Sequence, residues 1–312
     1  MITYLQHQQI DYNKWDSCIN HAINGIIYPY SFYLNQVSPG WEALIYGDYE
    51  AVMPLPVKKK WGVWYIIQPL FVQQLGVFSI QPVDENMIEA FLVAVPRKFR
   101  YVNIPLNTYN PLKSKEKYTT RPSKTYELDL ISPYDQIQRG YSGQTRRNLK
   151  KAKQERVFIV RNTDPMPLIE SFRKNRGKNI SNLQESSYET LKHLIYSGIH
   201  RGDTQVYSAY SKQNTFCAGV VFFTSHKKSI LIFSGSTSEA RTNGAMTAII
   251  DTFIQDHAGL NLTLDFEGSN EENLARFYAG FGSKECVFLQ LEMQHFPLMI
   301  KPLVNMYLRL RK

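Results

Sequence analysis

Apolar and polar positions along the chain follow one pattern and then repeat it. Residues 41–46 (WEALIY) alternate and are closed by Gly47-Asp48, which predicts a half-buried strand and its turn. Residues 50–57 (EAVMPLPV) read as the next strand, Lys58-Lys59-Lys60 as a loop and 63–67 (VWYII) as a third strand. The order returns about 165 residues later, an offset that fits a duplicated domain rather than a solenoid. There 205–211 (QVYSAYS) alternate, Lys212-Gln213-Asn214 turn, 215–224 (TFCAGVVFFT) run apolar, His226-Lys227-Lys228 loop and 229–233 (SILIF) close the meander.

Each meander is followed by a helical period and a strand. Residues 84–95 (DENMIEAFLVAV) lead into 99–104 (FRYVNI). Residues 243–257 (NGAMTAIIDTFIQDH), with Ala245, Ile249, Phe253 and Ile254 on one face, lead into 262–267 (LTLDFE). Further helices are expected at 133–139, 142–154, 165–175, 187–200 and 270–280. Asp164 before Pro165 is a good start signal for the third of these. A meander followed by a helix and a strand is an α+β pattern, with a mixed, mostly antiparallel sheet flanked by helices in each half. The expected boundary lies near 131–135, giving domains 1–132 and 133–312.

Composition narrows the class. A chain of 312 residues exceeds most single cores, and a hydrophobic fraction of 43% with 20% charged is ordinary globular composition. Apolar stretches are interrupted too soon for a membrane-spanning helix, and residues 1–30 show no signal-peptide pattern. Cys18, Cys217 and Cys286 are too few and scattered for a disulfide framework or a zinc site, so no metal is expected. These features set the expectation of a cytoplasmic protein without a transmembrane segment.

The net charge of +9 is unevenly spread. Residues 139–161 hold eight basic side chains against Glu155, and Arg97 to Lys124 hold eight against Glu116. Clustered positive charge attracts polyanions: nucleic acid, nucleotide phosphates, coenzyme A or an anionic membrane. A solvated basic surface is the competing reading. Arg146, Lys150 and Lys153 line one stripe of the 142–154 helix, and Arg147 and Lys151 the next. This face could take phosphate of a donor or acceptor. The basic, amphipathic segment 298–312 offers a peripheral membrane contact or, alternatively, packs on its own domain.

Several stretches resemble a known superfamily. Strand 229–233, the loop to Arg241 and Arg241-Thr242-Asn243-Gly244-Ala245 at a helix start resemble the pyrophosphate loop of GNAT acyltransferases, usually Gln/Arg-x-x-Gly-x-Gly/Ala. Arg241 and Gly244 match, while Met246 stands at the last small position. Asn270 to Gly282 resembles the next GNAT motif, with Tyr278 and Gly282 at the expected spacing and the Asn one residue off. The FemAB-like branch, with tandem GNAT domains, is closer. Its signatures are matched in order by Arg146-Arg147-Asn148-Leu149-Lys150-Lys151-Ala152, Asp265-Phe266-Glu267-Gly268 and Phe277-Tyr278-Ala279-Gly280-Phe281-Gly282, over roughly residues 140–290. The first half matches as a repeat, apart from Gln73-Gln74-Leu75-Gly76-Val77.

This resemblance implies an N-acyltransferase with two tandem GNAT-like domains, moving an acyl group from acyl-CoA to an amine. A Fem-type transferase using aminoacyl-tRNA on a cell-wall precursor is the alternative. A non-catalytic binding protein, suggested by Met246, is a third. The donor would sit on Arg241, Asn243, Gly244 and Ala245. Tyr278 resembles the tyrosine that protonates the leaving group, against the plainer reading of a core aromatic. Asp265 and Glu267, two apart on one strand, would share a face and could deprotonate or anchor the ammonium; an ion-pair or capping role competes. Arg146, Arg147 and Lys150 would contact the acceptor or tRNA. In the first half, Gln68-Pro69-Leu70 stands where a phosphate loop would be, and proline removes a donor N–H. That half is therefore expected to carry no donor and to wall the acceptor side.

Overall fold

The computed structural model describes residues 1–180, 183–238, 240–267 and 270–297, with the side chains of Asn179 and Arg241 left aside. Gly268 and the basic segment 298–312 lie outside the described residues. The chain divides into two compact units, one of Met1–Pro122 with the segment from Phe288, the other Ser123–Val287.

The first unit opens with β1 (Ile2–Leu5), α1 (Tyr12–His21) and α2 (Ser31–Val37). The meander follows as β2 (Glu42–Tyr46), β3 (Ala51–Leu55), β4 (Val57–Lys60) and β5 (Val63–Ile67). Then come β6 (Phe78–Ser79), α3 (Glu85–Ala94) and β7 (Phe99–Pro105). Strands β1, β2, β3 and β6 form one antiparallel sheet. The expected single strand 50–57 is two strands, because Pro56 cannot extend a ladder through its nitrogen. The chain leaves the first sheet there, and Lys58-Lys59-Lys60, expected as a loop, are strand residues paired with β5. The turn is Trp61-Gly62 instead. Helix α3, capped by the Asp84 carboxylate on the Met87 amide, carries the chain from β5 to its parallel neighbour β7. Leu44, Met53, Ile66, Phe91, Phe99 and Ile104 form the centre of this core.

Strand β8 (Tyr118–Asp129) begins in the first unit and ends in the second. The second unit continues with α4 (Tyr134–Arg139), α5 (Gly143–Gln154), β9 (Phe158–Arg161), α6 (Met166–Lys174) and α7 (Glu185–Arg201). The second meander is β10 (Thr204–Tyr210), β11 (Phe216–Ser225) and β12 (Lys228–Ser236). After it come α8 (Ala240–Asn243), α9 (Ala245–His257), β13 (Thr263–Asp265) and α10 (Glu272–Ala279). Strand β14 (Lys284–Gln294) returns from the second unit to the first, where its last five residues pair with β7.

In the second unit the sheet runs β8-β13-β12-β11-β10-β9, antiparallel except for β12 and β13. Both units thus join a meander to a strand parallel to its last member by a crossover that contains a helix, the α+β plan expected. Val220, Phe222, Ile249, Phe253, Leu264 and Phe281 fill the second core. Phe222 and Phe253 stack with centroids 3.8 Å apart, fixing α9 on the sheet. Among the described residues no helix is long and apolar enough to cross a membrane.

Candidate functional site

Strand β12 pairs with β13 only through Lys228, Ser229 and Ile230. Beyond Ile230 it keeps β11 on one side, while its register slips by one residue where Val221 faces Phe233 and Phe222 faces Leu231. A bulge increases local bend and twist. The two parallel strands therefore part, and a cleft of about 390 Å³ opens along the freed edge of β12. Leu231, Ser234, Gly235 and Ser236 line it from the strand, Met246, Thr247 and Ile250 from α9, and Leu274, Phe277 and Tyr278 from α10. Asn148 of α5 and Asn175-Arg176 after α6 complete it. All belong to the second unit.

Gly244 separates α8, a stretch expected mostly as loop, from α9. It sits at φ 76°, and a Cβ there would run into the Asn148 carbonyl oxygen. Only glycine allows both the left-handed turn and the close approach of α5. The Asn243 side chain accepts from the Ala245 amide at 3.0 Å, while its amide nitrogen reaches the Cys217 sulfur at 3.4 Å. The start of α9 thus faces the cleft with the positive end of its dipole and first-turn amides that have no intrahelical acceptor. Gly244 and Met246 line the cleft; Ala245 is buried. The backbone of Arg241 lies in α8.

The C-terminal end of α10 is locked to the beginning of α5. The Gly280 carbonyl accepts from the Ser142 amide and the Thr145 hydroxyl, both at 2.8 Å. A Cβ at Gly280 would lie 2.7 Å from the Thr145 hydroxyl, so glycine is required for this approach. The Arg-Arg-Asn and Phe-Tyr-x-Gly-Phe-Gly stretches, more than a hundred positions apart, are brought together by these bonds. The contribution of α5 to the cleft is Asn148, held 3.4 Å from the Thr247 hydroxyl and by Gln144 at 2.9 Å. Arg146, Arg147 and Lys150 are exposed and do not line the cleft. Arg146 donates to the Arg139 carbonyl and Arg147 to the Gln144 side chain, each at 2.8 Å.

Tyr278 is 5% exposed and stacks on Phe266, centroids 4.9 Å apart. Burial first, and then the negative charge of Glu267, push its hydroxyl above the usual phenol range, with Arg176 opposing. A phenol so held keeps its proton at neutral pH and can act as a donor. Burial also raises Glu267 well above the carboxylate range.

Asp265 and Glu267 do not share a strand face. Strand β13 ends at Asp265 and Glu267 turns back at φ 50°, which breaks the alternation. Asp265, 1% exposed, accepts from the Thr125 hydroxyl at 2.5 Å and from the Glu267 amide at 2.9 Å, with Lys228 at 3.8 Å. Burial raises its carboxyl and Lys228 opposes this. Its bonds hold the strand end and the turn that carries Glu267. Neither carboxylate lines the cleft.

Asn148, Arg176 and Thr247 are cleft residues the sequence reading passed over. Asn148 stands inside the quoted Arg-Arg-Asn stretch and could have been found there. Arg176, beside Glu271 at 3.3 Å, follows a helix end with no local signal. Among the described residues no group of His, Cys, Asp and Glu could hold a metal ion.

No family model and no curated protein matches the chain. Solved structures do. FemX superposes with a TM-score of 0.63 over 90% of this chain and 96% of its own, at 13% identity. The C-terminal domain of a "Putative Lysylphosphatidylglycerol Synthetase" from Agrobacterium fabrum gives 0.59 over 90% and 92%, at 10% identity. L-PGS from Bacillus licheniformis gives 0.55 over 96% of each chain, at 10% identity. At these identities the likeness is one of fold, and it is the fold shared with FemX, in line with the FemAB-like plan expected from the sequence.

Proposed function

We propose that the protein is an acyltransferase that moves an acyl group from an activated donor to an amine in the cleft of the second unit. The observation that carries this reading is the parted β12–β13 pair: one cleft holds a free strand edge, a helix start and a buried phenol. An extended donor arm would hydrogen-bond the β12 edge, as a peptide adds to a sheet. An anionic donor group would rest at the start of α9. The acyl chain would lie against Leu231, Ile250, Leu274 and Phe277.

The amine nitrogen attacks the acyl carbonyl carbon, a C–N bond forms, and the C–S or C–O bond to the carrier breaks. Tyr278 gives its proton to the departing thiolate or alkoxide, and the amine's surplus proton leaves to water. The donor of first choice is acyl-CoA, whose pantetheine arm suits the strand edge. Aminoacyl-tRNA is the second reading, favoured by the exposed basic face of α5 and by the likeness to FemX.

A donor screen decides. Thermal unfolding is followed with acetyl-CoA, longer acyl-CoAs and aminoacyl-tRNA; a ligand at about 100 times its Kd adds roughly 2.7 kcal/mol. Met246→Glu is the companion variant. A carboxylate in the first turn suits the α9 dipole, so the fold is kept, while it repels an anionic donor. Stabilisation of the parent by one donor, lost in Met246→Glu, supports the reading. Response to aminoacyl-tRNA alone selects the second donor. Binding without any transfer to amines would leave a binding protein in its place, and no response to any donor would remove the site.

A further inference from the structure

Strands β4 and β5 form a hairpin whose root is buried and whose tip is not. Ile66 is fully buried in the first core, and Val57 opposite it is half-buried. Toward the tip the two strands differ in chemistry. Lys58, Lys59 and Lys60 of β4 face Tyr65, Trp64 and Val63 of β5. Trp61 is 81% exposed, Trp64 37% and Val63 36%, and the three lysines are exposed. Among the described residues no ion pair neutralises Lys58, Lys59 or Lys60.

The two-residue turn is Trp61 at φ 49° and Gly62 at φ 79°. Two successive positive φ values are the type I′ geometry, for which Asn-Gly is the favoured pair. A bulky aromatic in left-handed backbone is costly, and at this exposure it gains no burial in return. Burial therefore gives no reason for tryptophan here, and strain kept at an exposed position points to use.

We propose that the β4–β5 hairpin docks the protein on the anionic surface of a lipid bilayer. Indole rings favour the water–lipid boundary, where an apolar body and an N–H are both satisfied. Lysines set beside them meet acidic headgroups while their stems stay in the apolar margin. The ring contacts favour lipid over nucleic acid. The Lys59 ammonium lies 4.8 Å from the Trp64 centroid and that of Lys60 4.6 Å from the Trp61 centroid. One face of each ring is thus covered by a charge of the protein itself, which leaves less of the ring for base stacking. Lys and Trp held at one level instead match the depth they share in a headgroup layer.

The test is sedimentation with vesicles of phosphatidylglycerol and phosphatidylcholine, against vesicles of phosphatidylcholine alone. The parent is expected to bind the mixed vesicles and to lose binding as salt rises. Lys58→Gln, Lys59→Gln and Lys60→Gln together should lower partitioning about a hundredfold, at roughly fivefold per lysine. Trp61→Asn suits the turn, so the fold is retained, and it should weaken binding and reduce fluorescence quenching by brominated lipid. Val93→Ser, at a residue 80% exposed on α3, is the control and should change nothing. Equal binding by parent and hairpin variants would overturn the proposal. So would binding of RNA but not vesicles, or self-association that Trp61→Asn abolishes without any vesicle binding.

Discussion

Gly244, Tyr278 and Glu267 show how single residues set the cleft. Gly244 is fixed by two independent demands, a left-handed φ and the Asn148 carbonyl against its Cα. The phenol of Tyr278 needs neither charge nor mobility to donate a proton, and its stacking on Phe266 holds it at the wall. Tyr278→Phe keeps that stacking and removes only the proton. Turnover should fall by about 10²–10⁴-fold, the usual worth of a general acid, with donor affinity little changed. Single-turnover rates beside binding isotherms check this, and equal loss of both would assign Tyr278 to binding. Glu267 carries a stability cost. Its carboxyl is raised in the folded protein, so the folded state binds the proton more tightly than the unfolded chain. Its contribution is fully favourable below the ordinary value of about 4.3 and is lost as pH rises through the folded value. Glu267→Gln should therefore be more stable than the parent at pH 7–8, with the gain vanishing toward pH 4. Urea midpoints across that range decide it.

Among elements, α5 is the one whose placement matters most to the cleft. Its basic face points to solvent, while its N-terminus is tied down by a short polar knot. The Ser142 hydroxyl accepts from the Thr145 amide at 3.1 Å and lies 2.9 Å from the Thr145 hydroxyl, which in turn holds the Gly280 carbonyl. Ser142→Ala removes the cap and should cost about 1 kcal/mol in urea unfolding. Because the knot also ties α10, donor affinity should fall with it. Ser142→Asp, which restores a cap, should recover both.

At the scale of the molecule, the two cores are closed differently along the chain. The second unit is one continuous stretch, Ser123–Val287, whereas the first takes its last strand from beyond residue 287. Leu291 is fully buried and Met293 4% exposed in the first core, and Gln290–Gln294 pair with β7. A fragment of residues 1–122 loses both side chains and one whole ladder. Each lost core side chain is worth about 2–5 kcal/mol, comparable with a domain's entire stability. The fragment 1–122 should show no cooperative thermal transition, while 123–287 should unfold cooperatively and keep its response to donor. Calorimetry of the two fragments tests this, and a cooperative 1–122 would show that β14 is dispensable.

Much of this protein is determined locally. Strict alternation, Gly-Asp and Lys-Gln-Asn turns and the Asp164-Pro165 helix start are short-range signals. From them the meanders, the helices at 84–95, 142–154 and 187–200 and the α+β plan are legible, because a strand or helix period is written in consecutive residues. Tyr278 and Gly244 were also visible, standing in stretches that resemble the FemAB-like pattern. What the tertiary structure decided is everything that depends on a partner distant in sequence. Pro56 moves the chain from one sheet to another, so three lysines that read as a loop form a strand, with one exposed tryptophan at its turn and another on the paired strand. The bulge in β12 parts it from β13, and no residue within that strand announces a cleft. Asp265 and Glu267 separate because a left-handed residue follows the strand end, and Thr125 and Lys228 claim the first carboxylate. Arg176 reaches the cleft from a helix end that sequence alone leaves featureless. The physical reason is common to all four. Local propensity acts over a few residues, whereas the position of an edge, a charge or a phenol is set by packing between segments a hundred residues apart.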